Sequence, residues 1–304
     1  MAREDGRSQG LLVETNPLAE ERLKGGPEAQ MQEWPGLEKA LHPPADHGEH
    51  TYRGAGKLSN MRALITGGDS GIGKAIAIAF AREGADVAIS YFNEHEDARD
   101  TVHWIENAGR RALPMAGDIR DEAHCRRLVD RTVQEFGGLN ILVNNAAYHI
   151  ESRSLEEIST EQLEQTFRTN VFATIWLSQA AVRHMKAGDT IIHCGSVVAL
   201  TGHPTLPDYA ATKAAIHNLT QTMAQQLAER GIRVNCVAPG PVWTPLITAT
   251  RDPKAIEGFG ADTFWRRPAQ PAEIAPAFVF LASADARFCS GEIIAETGKM
   301  FTTR

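Results

Sequence analysis

Residues Arg62 to Gly73 read Arg-Ala-Leu-Ile-Thr-Gly-Gly-Asp-Ser-Gly-Ile-Gly, and the fold is decided in this stretch. Arg62–Thr66 is a short apolar run of the kind that forms a buried strand. It leads directly into Gly67, Gly71 and Gly73, and then into an Ala- and Ile-rich helical segment ending near Glu83. Glycines between a first strand and a first helix let the backbone approach a diphosphate, whose charge then faces the helix N-terminus. The spacing, Gly-x3-Gly-x-Gly after Thr66, differs from the Gly-x-Gly-x2-Gly of the general dinucleotide fingerprint.

Downstream, short apolar runs alternate with amphipathic segments. Strands are expected at Val87–Tyr91, Ala112–Met115, Ile141–Asn144, Thr190–Cys194, Arg233–Ala238 and Glu292–Ala295. Helices are expected at His95–Ala108, Asp121–Phe136, Thr160–Met185 (one or two helices), Asp208–Arg230 and Pro271–Ser283. Continuous apolar strands separated by helices imply a parallel sheet covered on both faces. The expectation is a doubly wound, Rossmann-type α/β domain over 61–304.

Residues 1–60 read differently, holding thirteen of the forty-one Gly and Pro residues without a long apolar period. They read as an extended arm rather than a second domain. Leu11, Leu12, Met31, Trp34, Leu37 and Leu41 are its anchor candidates, which places its second half on the folded body or on a neighbouring subunit. His42, Asp46, His47, Glu49 and His50 are metal-ligand residue types, but their spacing fits no fixed geometry and reads as a solvated polar turn. No metal is expected.

A formal charge of −7 gives no support to nucleic-acid or anionic-membrane binding. No apolar run approaches the ~18 residues that a bilayer span needs, and the polar start does not read as a secretory signal. Cys125, Cys194, Cys236 and Cys289 are widely spaced without a CxxC pair, which indicates neither a zinc site nor a disulfide framework. Cys194 reads as a core residue. The default location is the cytoplasm.

The chemistry centres on Tyr209-Ala-Ala-Thr-Lys213. Residues four apart lie one turn from each other on a helix face. A free tyrosine ionises near pH 10, and a cation about 4 Å away is worth roughly 4 kcal/mol at an effective dielectric of about 20. Such a pair can serve as an acid/base near neutral pH. Alone it is a common surface pattern.

Together, Thr66-Gly-Gly-Asp-Ser-Gly-Ile-Gly73, Asn144-Asn145-Ala146-Ala147, Asn170, Ser196 and Tyr209-x3-Lys213 resemble the short-chain dehydrogenase/reductase family over about residues 60–298. The resemblance implies NAD or NADP as cofactor and an alcohol or carbonyl substrate. Cofactor contacts would come from Thr66, Gly67, Asp69, Ser70, Gly71, Ile72, Gly73, Asp118, Ile119, Asn145, Ala146, Ala147, Pro239, Gly240, Val242 and Thr244, with Tyr209 and Lys213. Asn144 would support the central strand. Tyr209 would exchange the proton, Ser196 orient the substrate, Lys213 hold the ribose and lower the Tyr209 pKa, and Asn170 hold a relay water. The stretch from Met31 to Ala98 is similar to a branch with an N-terminal arm, which includes general stress proteins and glucose/ribitol dehydrogenase homologues.

Two departures stand out. Ala147 replaces the usual glycine, so a left-handed backbone there would cost about 1 kcal/mol. Glu296-Thr-Gly298-Lys replaces the common Asp-Gly-Gly. NAD and NADP both stay open at the end of the second strand, Ser90 to Glu94, with a lean to NAD from Asp69, Glu94 and Glu96. Trp243–Arg267 would be a lid, its apolar residues serving either a substrate pocket or packing on the body. A homo-tetramer would pair Thr160–Met185 and Asp208–Arg230, with Ile175, Trp176 and Ala180 as an apolar outer face. The competing functions are a sugar-nucleotide epimerase or dehydratase, which would need a larger C-terminal domain, and a non-catalytic dinucleotide-binding stress or sensor protein.

Overall fold

In the computed structural model, which describes residues 15–299, seven strands form one parallel sheet in the order β3-β2-β1-β4-β5-β6-β7. The strands are β1 (Arg62–Thr66), β2 (Asp86–Tyr91), β3 (Ala112–Ala116), β4 (Ile141–Asn144), β5 (Thr190–Cys194), β6 (Arg233–Pro239) and β7 (Ile293–Glu296). The long helices are α1 (Gly71–Arg82), α2 (His95–Asn107), α3 (Glu122–Phe136), α4 (Thr160–Phe167), α5 (Ala173–Ala181) and α7 (Pro207–Leu227). Three short ones, α6 (Val198–Thr201), α8 (Pro245–Thr250) and α9 (Pro253–Ile256), fall where no helix was expected, and α10 (Pro271–Ala282) precedes β7. Leu11 and Leu12 lie outside the described residues.

Alternate strand residues point to opposite faces, and both faces are dry. Ile65, Val87, Ile89 and Val143 pack with Phe80 of α1 and Phe278 of α10. Leu64, Leu142, Ile191 and Val234 pack with Leu128, Leu177 and Leu227 of α3, α5 and α7. The helices begin at local signals. Asp121 caps α3 by accepting from Ala123 N at 2.9 Å, and prolines open α7, α8, α9 and α10, where their missing N–H costs nothing. The chain reverses sheet direction between β1 and β4, which opens a crevice at the strand C-termini.

The segment expected as one or two helices contains a π-turn, Arg168–Phe172, between α4 and α5. The widened turn puts Asn170 inside, 1% exposed, instead of along a helix surface. Ala180, expected on the outer face, is buried within the chain, and the exposed large apolar residues of this segment are Leu163 and Phe172.

The arm lies on the body. Leu23 and Leu41 are fully buried against Trp243, Ile247 and Ile256. Trp243 Nε1 donates to Pro43 O at 2.8 Å, and Tyr52 donates to the buried Glu83 at 2.6 Å. The polar turn is solvated at His42 and His50 but not at His47. His47 is 2% exposed, with Nε2 3.1 Å from Glu38 and Nδ1 3.0 Å from Glu49. Burial pushes the imidazole pKa down, but the Glu38 charge and the two hydrogen bonds outweigh it and raise it to about 9. Glu49 is pushed up by burial and pulled further down by His47 and Lys74, to about 2.

Candidate active site

The glycine turn needs glycine for two separate reasons. Gly67 and Gly71 have φ of +62° and +49°, a region that suits a residue without Cβ. Gly73 is needed for space, because an added Cβ would lie 1.8 Å from Gly67 O. Thr66 is 1% exposed and braces the turn from behind. Its Oγ1 accepts from Asn145 N at 3.0 Å and Ala146 N at 3.1 Å. Asn145 Nδ2 in turn donates to Thr66 O and Gly67 O at 3.0 and 3.1 Å. Thr66 and Gly73 therefore shape the turn from behind the cleft lining. Ala147 does line it, and its φ is not positive, so the expected strain is absent.

In front of the turn lies a cleft of about 520 Å³. Gly67, Asp69, Ser70, Gly71 and Ile72 form its floor, with Asn145, Ala146 and Ala147 beside them. Phe92, Asp118 and Ile119 close one end, while Pro239, Gly240, Val242 and Thr244 run along a side. Asp118 is tied to Arg120, whose Nη2 donates to Oδ2 at 2.7 Å. Partial burial pushes the Asp118 carboxyl up, and the Arg120 hydrogen bonds take it below its usual value. Burial, then the nearby Glu94 and Asp97, raise Asp69 to about 8, so this carboxyl is largely neutral at pH 7. Glu96 pairs with Lys39 of the arm and does not line the cleft. Of the three carboxylates behind the lean to NAD, Asp69 and Glu94 line the cleft and Glu96 does not.

Ser196, Tyr209 and Lys213 line the other end. Ser196 follows β5, where Val198 N donates to its Oγ at 3.3 Å. Asp208 sets the start of α7 by accepting from Thr166 Oγ1 at 2.8 Å and Tyr209 N at 2.9 Å. Lys213 is 2% exposed, donates to Cys194 O at 2.7 Å and holds its Nζ 5.5 Å from the Tyr209 ring centroid. Cys194 thus acts through its carbonyl, and burial raises its thiol pKa.

Asn170 stands behind this wall and does not line the cleft. Its Oδ1 accepts from Tyr148 N at 2.8 Å, and its Nδ2 donates to Tyr148 O at 2.9 Å and Thr212 Oγ1 at 3.0 Å. The side chain clamps the loop after β4 to α7.

His149 was not singled out in the sequence, where no local pattern marks it. Its ring lies 5.0 Å from that of Tyr209 and lines the cleft. Burial first, then the charges of Arg251, Lys213 and His203, lower its pKa to about 3, so it is neutral. Thr250 donates its one hydroxyl hydrogen to Leu246 O, so His149 Nδ1, 3.1 Å from Thr250 Oγ1, must be the donor between them. Nε2 is then the acceptor nitrogen of the ring. Arg251, beside it, lies 3.7 Å from Glu151. In the lid, Trp243 is fully buried on the arm, Leu246, Ile247 and Phe259 line the cleft, and Phe264 is exposed.

Residues 67–298 match a family model described as Enoyl-(Acyl carrier protein) reductase. General stress protein 39 of Bacillus subtilis (strain 168) is 46% identical over 269 residues, 88% of this chain and 94% of its own length. The chain belongs to the short-chain dehydrogenase/reductase family. Another similar relative is the glucose and ribitol dehydrogenase of Daucus carota, 41% identical over 278 residues, covering 90% of this chain and 96% of the relative. A family structure, a short chain dehydrogenase from Burkholderia cenocepacia J2315 in complex with NADP, aligns with a TM-score of 0.76 at 36% identity, covering 80% of this chain and 98% of that one. The family makes the chain an oxidoreductase of the NAD(P)-dependent dehydrogenase/reductase type. Among the described residues no helix is long and apolar enough to cross a membrane, and no group of three or more His, Cys, Asp or Glu side chains could hold a metal ion.

Proposed function

We propose that the chain interconverts an alcohol and a carbonyl compound with a nicotinamide dinucleotide. The observation that carries this reading is one cleft with a glycine cradle along its floor and Ser196, Tyr209 and Lys213 at its end. The positive φ at Gly67 and Gly71, and the 3.0 Å that would separate a Gly71 Cβ from Thr244, leave room for a phosphate and none for side chains. When bound, the dinucleotide accepts or supplies hydride at its nicotinamide ring.

The chain's residues handle the proton. Ser196 Oγ donates to the substrate oxygen, and Tyr209 takes the alcohol proton or returns it. The Lys213 ammonium stabilises the charge that develops on the phenol oxygen. Asn170 acts as a positioning residue, because its three side-chain hydrogen bonds hold Tyr148 and Thr212 around this corner. His149 Nε2 accepts from a second substrate hydroxyl, which suits a polyhydroxylated substrate. The name of the carrot relative supports including sugars and sugar alcohols in a test panel.

NAD(H) and NADP(H) both fit this reading. Glu94 opposes a 2′-phosphate, whereas Arg120 and the NADP-bound relative speak for one. Titrating both cofactors decides, with Glu94→Gln expected to improve NADP(H) binding. The 1–60 and 61–304 division and assembly as a tetramer belong to the same proposal. Phe172, 41% exposed with its ring 5.7 Å from Trp176, is the apolar contact that such an assembly would cover. Light scattering at the monomer mass would refute that part.

The test of the chemistry is Tyr209→Phe. Turnover should fall by at least about a hundredfold, with cofactor affinity within twofold. Retained turnover would refute the mechanism. Cofactor binding without turnover of any alcohol or carbonyl by the wild type would favour a non-catalytic sensor.

A further inference from the structure

Residues 32–38 of the arm cross the mouth of the cleft, and both ends of the crossing are fastened. At one end Gln32 N donates to Thr248 O at 2.9 Å and Gln32 Nε2 donates to Thr248 Oγ1 at 3.0 Å. Gly36 lies so close to the lid that a Cβ there would be 2.9 Å from Pro245 O. At the other end Glu38 N donates to Asp97 Oδ2 at 2.8 Å, and Glu38 Oε2 accepts from Gly71 N at 2.8 Å. The arm thus joins the lid to the first turn of α1.

Between these fastenings stands Trp34. Its ring is 5.4 Å from Phe92 and 5.6 Å from Tyr148, and together with Pro35 it lines the cleft. It is 38% exposed, unlike Leu23 and Leu41, which bury completely and anchor the arm. Burial therefore does not account for an indole at this position. Its neighbours locate what it faces. Phe92 follows β2, and Arg120 Cζ, from the loop after β3, lies 6.0 Å from the Phe92 ring centroid. In a doubly wound sheet these two places receive the adenosine half of a dinucleotide. Ser196 and Tyr209 mark the opposite, reacting end.

We propose that Trp34 is a cofactor-binding residue supplied by the arm, stacking its indole on the adenine ring of the bound dinucleotide. The inference rests on the dinucleotide reading of the cleft and extends it to a residue outside the sheet domain. Adenine offers a flat, apolar face, and aromatic stacking on a base is tolerant of the charges elsewhere on the ligand. Trp34 therefore strengthens NAD(H) and NADP(H) alike and takes no part in choosing between them.

Calorimetric titration of the full-length wild type, Trp34→Ala and Trp34→Phe with NADH, 5′-AMP and nicotinamide mononucleotide tests this. Trp34→Ala should weaken NADH and AMP by about tenfold, the scale of one stacked base. Trp34→Phe should stay within about threefold of wild type, and nicotinamide mononucleotide should bind equally to all three. Unchanged AMP affinity in Trp34→Ala overturns the proposal. So does an equal loss for nicotinamide mononucleotide, which would mean that the substitution unseats the arm. Met31→Ala, at a residue 71% exposed on the same arm, controls for general loosening and should bind like wild type. If the wild type binds no NADH or NADPH, the dinucleotide reading itself fails.

Discussion

Gly73→Ala puts the dependence of cofactor binding on the β1–α1 turn to its sharpest test. The new methyl would sit 1.8 Å from Gly67 O and 2.7 Å from Asn145 Nδ2. The first obstacle is backbone, held by the Thr66 and Asn145 hydrogen bonds, so no side chain can rotate away. Restoring van der Waals contact requires the helix start and the turn to separate by roughly 1–2 Å. Overpacking of this kind costs about 1–3 kcal/mol of stability, which should appear as a Tm lowered by several degrees. The same displacement would move the Ile72 N–H away from a diphosphate seated on the proposed glycine cradle. A hydrogen bond to a charged group contributes about 1.5–3 kcal/mol, so cofactor affinity should fall about 10- to 100-fold. Calorimetry with NADH and NADPH, alongside thermal denaturation, measures both effects. Wild-type affinity and Tm in Gly73→Ala would refute the claim that this contact places the anion-binding turn.

Other residues give independent checks. Ala147→Gly should change stability by less than about 1 kcal/mol and leave cofactor affinity alone, because no left-handed backbone is relieved; a Tm gain would contradict this. His47 has a folded pKa raised to about 9 against about 6.5 unfolded. Its contribution is full below about pH 6.5 and is lost as pH rises through 9. Wild-type Tm should therefore decline across that window, while His47→Gln starts lower and stays flatter; parallel curves would refute the buried ion pair. His149→Phe should reduce kcat/KM for a polyol by about tenfold while leaving a simple alcohol nearly unaffected, and equal losses on both would remove its role as a hydroxyl acceptor.

The sheet was legible because each strand is a continuous apolar run, and β1, β4 and β5 have the expected bounds. The glycine turn was legible because backbone conformation there demands one residue type. What escaped was long-range. Nothing local to Thr66 shows that its hydroxyl holds Asn145 and Ala146, some 80 residues away. Asn170 gives no sign of the π-turn that moves it inside, since no local residue pattern encodes that widening. His149 and Trp34 acquire meaning from Tyr209, Thr250 and Phe92, none of which is near them in sequence. The turn at 42–50 read as solvated because His47 and Glu49 are polar residue types, and the Glu38 charge that makes burial of His47 tolerable comes from outside it. The short lid helices were missed because α8 and α9 are too brief for a periodic pattern.

The arm's fastenings also bear on the order in which the molecule can be built. Pro17 O receives Arg267, Gln32 meets Thr248, and Pro43 O receives Trp243, contacts that span 250, 216 and 200 positions of chain. Contacts so distant in sequence carry a large loop-closure cost and form slowly. During synthesis Pro17, Gln32 and Pro43 must wait for these partners until residues 243–267 have emerged. The sheet from β1 to β5 has no such delay. The lid-side half of the arm is therefore among the last parts to settle, and a nascent chain stopped before Trp243 would hold the strap only at its Glu38 end, on Asp97 and Gly71.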